Sequence, residues 1–223
     1  QGPAHYGGKM AFLPDGTLLI SVGEGFKYRE KAQDLEWELG KLLRINTDGS
    51  VPADNPFPKK APRVYSYGHR NPQGLVYDAL TDRILMLEHG PKGGDELNHI
   101  LAGKNYGWPA ITYGVDYSGA VISPFTEAEG MEQPLTYWVP SIGPSGLAIY
   151  HGDQFREWQG DLLLGSLING EMRRLKLEGE TVILDEAIFP EVTGRVRDVR
   201  VLGDGSIVAI TDEGDIFQIT DSP

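Results

Sequence analysis

Between Val64 and Pro109 the chain reads VYSYGHRNPQGLVYDALTDRILMLEHGPKGGDELNHILAGKNYGWP. Arg70 and Asn71 stand ahead of Pro72 at the entrance to a strand-like run, Gly74–Asp78. An arginine fork at such a place matches a carboxylate or polarises a carbonyl; pairing with one of the chain's 32 acidic groups is the plainer alternative. A second run, Arg83–Glu88, leads into Gly90-Pro91-Lys92-Gly93-Gly94-Asp95-Glu96. Few side chains obstruct that loop, so its backbone can turn carbonyls inward beside two carboxylates. Such a hard-oxygen set suits calcium better than zinc, and a polar turn without metal fits the spacing equally well. Arg195 and Arg197 alternate along GRVRDV and so share one face. Two like charges there call for an anion between them or for a solvent-facing edge.

These clusters need strands to hold them. Met10–Val22 has two apolar runs joined by Pro14-Asp15-Gly16, the chemistry of a hairpin turn. Similar units recur at Leu75–Glu88, Leu147–Leu164 and Val199–Thr211, the last pivoting on Asp204-Gly205. Hairpins repeated at roughly 50–70 residues predict blades of a β-propeller, with a β-sandwich as the alternative. Gly40–Asn46 reads as another strand, Glu24–Leu39 as a charged loop or short helix, and Ala110–Gly146 as a long connection that is functional or contains small strands of its own. With 29 Gly and 15 Pro the composition is that of a turn-rich all-β protein.

The absence of cysteine excludes disulfides and thiolate metal sites. A net charge of −12 argues against nucleic acid and anionic membrane surfaces as partners. No apolar run approaches a membrane span, and neither a P-loop nor a dinucleotide fingerprint occurs. Ser145, in Gly143-Pro144-Ser145-Gly146, lacks the nucleophile-elbow spacing and reads as a turn residue.

GHRNPQGL, EHGPKGGDELN and NYGWP follow one another in that order, flanked by HYGGKMAFLPDG and GRVRDVRVLGDGSIVAITDEG. Together these motifs resemble the soluble pyrroloquinoline-quinone-dependent glucose/sorbosone dehydrogenases, over essentially the whole chain. The resemblance implies a six-bladed propeller, of which residues 1–223 form about four blades of a single domain, with the N-terminal blades missing. It implies oxidation of an aldose to its lactone, with pyrroloquinoline quinone, calcium and an electron acceptor that the residues leave open. His5 takes the place of the family's catalytic base, with little sequence ahead of it to hold it. Arg70, Asn71, Arg195 and Arg197 take those of quinone contacts. Gly90 and Pro91 would offer carbonyls to the quinone's calcium, and Glu96 and Tyr106 would hold a structural calcium. A periplasmic or secreted address goes with the family. Ile168 stands where family members often carry lysine, which implies a lost contact and, with blades missing, weak quinone binding by this chain. Two rival functions remain: a metal-dependent propeller lactonase, and a non-enzymatic, calcium-stabilised propeller that binds sugars or partners.

Overall fold

The structure is a computed structural model and describes residues 4–221. It is all-β, built of four antiparallel sheets in which consecutive strands are hydrogen-bonded neighbours. The chain divides into two compact units, Gln1–Ser141 and Ile142–Pro223.

The first unit holds two sheets. One contains β1 (Gly7–Phe12), β2 (Leu18–Val22), β3 (Lys41–Ile45) and β4 (Val64–Tyr67). The other contains β5 (Pro72–Asp78), β6 (Arg83–Glu88), β7 (Asp95–Ile100) and β8 (Thr136–Trp138). Their first strands, β1 and β5, lie side by side. In the second unit β9 (Pro144–Ile149), β10 (Leu162–Ser166), β11 (Glu171–Glu178) and β12 (Thr181–Ile188) make a third sheet. A fourth contains β13 (Val196–Val201), β14 (Ile207–Thr211) and β15 (Ile216–Ile219), and here too the first strands, β9 and β13, are neighbours. Up-and-down sheets adjoining through their first strands are the blade pattern of a β-propeller.

Local chemistry explains the turns. In the β1–β2 hairpin Asp15 Oδ1 accepts from the Thr17 N–H at 2.9 Å and its hydroxyl at 2.7 Å, with Gly16 left-handed between them. The β13–β14 turn repeats the device: Asp204 Oδ1 accepts from the Ser206 N–H and hydroxyl around left-handed Gly205. The carboxylate ties the turn from inside while glycine adopts the positive φ at no steric cost.

Leu19, Leu42, Leu75, Ile84, Met86 and Ile100 form one core between the two sheets of the first unit. Leu163, Met172, Val196, Val199 and Ile207 form another in the second. Ser145 lies at the start of β9 rather than in a turn; it is buried and donates to the Val196 carbonyl at 2.6 Å. The charged stretch after β2 is a loop with a single 3-10 turn, Arg29–Ala32. Fully buried Lys41 pins that loop, its ammonium donating to the carbonyls of Lys31 (2.8 Å), Ala32 (2.9 Å) and Leu39 (2.7 Å).

Candidate functional site

The first unit carries a cavity of about 380 Å³ lined by His5, Glu24, Phe26, Arg70, Pro91, Trp108 and Tyr117, among others. His5 precedes β1 in a left-handed conformation, φ 60°. Its carbonyl accepts from the Gly25 N–H at 3.1 Å. A side chain at Gly23 would collide with that same carbonyl, so the close approach requires glycine. The ring is held as well: Nδ1 meets Glu24 Oε1 at 2.5 Å, with the Glu24 side chain 1% exposed. Residues downstream of it thus hold both the backbone and the ring of His5. The Glu24 N–H in turn donates to the Arg70 carbonyl at 2.9 Å, which ties the histidine–carboxylate pair to the GHRNPQGL motif.

Arg70 is buried, and its guanidinium lies against two aromatic rings. Its guanidinium carbon stands 5.2 Å from the ring centre of Trp108 and 5.9 Å from that of Tyr117. Nη1 donates to the carbonyls of His89 (3.0 Å) and Gly90 (2.5 Å). Nε of Arg70 and Nε1 of Trp108 are buried without a hydrogen-bond partner among the described residues. Buried donors of this kind call for acceptors, and a planar quinone with carbonyl and carboxylate oxygens supplies that chemistry. Asn71 is also buried, with Oδ1 accepting from Gln73. Neighbouring His69 is structural: fully buried, it is bonded to Ser66 and Glu88 and stacked on Tyr106.

Gly90 turns tightly because a side chain there would strike the carbonyls of Gly93 and Gly94. Its N–H donates to Asp95 Oδ1 at 2.9 Å. The Gly90 carbonyl already accepts from Arg70, so a cation at Gly90 and Pro91 requires the guanidinium to share or release that oxygen. Asp95 and Glu96 lie within β7 rather than in the loop, and Glu96 sits directly across from Glu88. Asn98 Nδ2 bridges these two carboxylates, 3.2 Å from Glu88 Oε1 and 3.1 Å from Glu96 Oε2. Burial, then the charges of Glu88 and Asp95, push the Glu96 carboxyl up to about 8 against that donation. Glu88, Glu96, Tyr106 and Gly94 line a space of about 10 Å³, room for one water- or cation-sized occupant. Two carboxylates around such a space, Glu88 buried and Glu96 half-buried, fit a hard cation, whose remaining ligands would be carbonyls. Among the described residues no group of three or more His, Cys, Asp or Glu converges as a metal site.

Arg195 and Arg197 belong to the second unit. Asp212 is the anion between them: Arg195 Nε lies 3.0 Å from Oδ2, and Arg197 Nε 2.7 Å from Oδ1. Hydrogen bonds from Arg197, and then from Arg195, hold the Asp212 carboxyl down at about 2. A depressed carboxyl contributes stability above its unfolded value, near 4, and loses it as the pH falls towards 2. Urea midpoints at pH 5 and pH 3 are therefore expected to differ less for Asp212→Asn than for the parent. Parallel losses in the two proteins would contradict that role.

Glu24, Phe26, Tyr117 and Asp212 escape sequence reasoning. Their partners lie far away in the chain, and no periodicity marks a contact of that kind.

A family model described as Glucose / Sorbosone dehydrogenase matches residues 1–218. Aldose sugar dehydrogenase YliI of Escherichia coli is 40% identical, over 97% of this chain and 60% of its own length. A crystal structure of a glucose dehydrogenase superposes with a TM-score of 0.93 at 44% identity, covering 99% of this chain and 65% of that one. The PQQ-bound aldose sugar dehydrogenase of Streptomyces coelicolor does so with 0.78 at 31%, covering 99% and 63%. The chain spans 54–60% of the length of three curated relatives it matches and less of others. Among the described residues no helix is long and apolar enough to cross a membrane. Blade-like sheets, the cavity at His5 and Arg70, and a family match over nearly every residue agree: the chain belongs to the Glucose / Sorbosone dehydrogenase family.

Proposed function

We propose that the cavity beside His5 oxidises an aldose at its anomeric carbon to the lactone, using pyrroloquinoline quinone and calcium. The observation that carries this reading is the pairing of His5 with the buried Glu24 carboxylate, opening on the same cavity as Arg70. With Nδ1–H donated to Glu24, His5 keeps the lone pair of Nε2 for the proton of the anomeric hydroxyl. Within the first unit Arg70 and Asn71 hold the quinone's oxygens, with Arg70 Nε and Trp108 Nε1 as donors in waiting. Gly90 and Pro91 hold its calcium; Glu96 and the Tyr106 carbonyl hold the structural one. When bound, the quinone accepts the electron pair that leaves with the anomeric hydrogen, and an external acceptor then takes those electrons. Residues 1–223 belong to one propeller domain in this reading, and a periplasmic or secreted address goes with it. The lactonase alternative needs several free carboxylates on one cation. In this cavity Glu24 is engaged by His5, and Asp116 by Arg29.

Two binding measurements test the reading apart from turnover. Calcium that binds only the folded chain is expected to raise the melting temperature in a concentration-dependent way, and Glu96→Ala to remove most of that response. A parent melting curve indifferent to calcium would contradict the site. Spectral titration with the quinone should show weaker binding in Arg70→Ala than in the parent; equal affinities would remove Arg70 from the cofactor site.

A further inference from the structure

Phe26 has no role in the mechanism so far, yet its backbone is the most unusual at the cavity. It takes a left-handed conformation, φ 64°, immediately after Gly25 at φ 74°. The Lys27 N–H closes onto the Gly25 carbonyl at 2.7 Å, so Phe26 is the apex of a three-residue turn. A γ-turn with positive φ at its apex is rare and strained, the more so under a bulky side chain. Burial does not repay the strain, because Phe26 is 45% exposed. What the turn achieves is placement: the phenyl ring stands 5.0 Å from the His5 imidazole, nearly perpendicular to it, and faces the cavity. The Gly25 N–H bond to the His5 carbonyl locks the two residues together.

The surroundings of the ring define what would lie on it. Arg29 and Asp116 stand at the same cavity as an ion pair, 3.6 Å apart with side chains 44% and 40% exposed, and present polar atoms at its edge. An apolar aromatic face ringed by polar groups suits a ligand with one C–H-rich face and hydroxyls around its edge. We infer that Phe26 is a specificity-determining platform on which the C–H face of a pyranose ring rests, with its anomeric hydroxyl directed to His5. The inference rests on the dehydrogenase reading for its substrate class, and selects closed-ring aldoses over open-chain polyols.

The test uses methyl β-D-glucopyranoside, which the site cannot oxidise to a lactone, with open-chain glucitol as control. Saturation-transfer NMR on the full chain should show the pyranoside binding and glucitol binding more weakly. Phe26→Gly removes the ring and relieves the positive φ, so its melting temperature is expected not to fall. Its pyranoside affinity should drop about tenfold, the scale of one aromatic contact, whereas Phe26→Tyr should stay near the parent. In turnover with an aldose the Gly variant should raise KM and hold kcat. Equal pyranoside binding by parent and Phe26→Gly would overturn the inference. So would a parent that binds glucitol as well as the pyranoside, or a loss of binding in Phe26→Gly that tracks a lowered melting temperature. If the quinone-loaded parent fails to oxidise aldoses while pyranoside binding still depends on Phe26, the dehydrogenase reading falls and the platform stands.

Discussion

Replacing His5 by Gln is expected to lower aldose-dependent quinone reduction by roughly 100–10,000-fold, the usual cost of removing a general base. Quinone affinity and melting temperature should stay near those of the parent, because the ring lies at the cavity wall and not in a hydrophobic core. Glu24→Gln is the informative companion. Glu24 is buried, bonded to His5 through Oε1, and its Oε2 has no partner among the described residues. In the proposed reaction its carboxylate would fix the His5 tautomer and stabilise the imidazolium formed on taking the proton. The Gln variant should keep the ring oriented while losing that stabilisation, giving a rate between those of the parent and His5→Gln. Turnover in His5→Gln equal to the parent would remove His5 from the reaction.

Lys41→Met should cost about 3 kcal/mol of stability, the upper range for a hydrogen bond to a charged group, and lower the melting temperature by about 6–12 °C for a chain of this size. The lysine is fully buried, and burial lowers its ammonium to about 8. Three carbonyls nonetheless surround it. Those of Lys31 and Ala32 also accept from the N–H groups of Asp34 and Gly68, so only part of the network is orphaned by the change. The consequence reaches the cavity, because the loop that Lys41 pins begins at Glu24, Phe26 and Arg29. Lys41→Met should therefore raise KM even at temperatures where the variant is folded. A melting temperature within 2 °C of the parent's, roughly the shift expected from 0.5–1 kcal/mol, would contradict the role of these bonds.

How much of this was legible can be argued from particular elements. Each of the four predicted hairpins corresponds to the first two strands of one sheet; Asp-Gly marks two of the turns, at Asp15-Gly16 and Asp204-Gly205, and short apolar runs mark the strands, both being local signals. The short strands β4 and β8 carry only four and three residues, too few for periodicity to register. Asp95 and Glu96 read as loop residues because two glycines precede them. They pair as a strand because β6 offers a ladder that their own sequence does not announce. The sharing of one face by Arg195 and Arg197 was readable from their spacing. That Asp212 neutralises them was not, since it arrives from the β14 turn 15 residues beyond Arg197. Of the residues that line the cavity, the motifs single out His5, Arg70 and Pro91 by type. The contacts that give them chemistry depend on a backbone bent through glycines and left-handed residues, which composition does not encode.

The central claim is that the His5 cavity carries out quinone-dependent sugar oxidation. The most direct measurement is aldose-dependent dye reduction by the chain with calcium and excess pyrroloquinoline quinone, run beside lactone hydrolysis by the same preparation. The account predicts dye reduction that requires quinone, calcium and His5, without lactone hydrolysis. Lactone hydrolysis that proceeds without quinone, in a preparation that reduces no dye with any aldose, would contradict it.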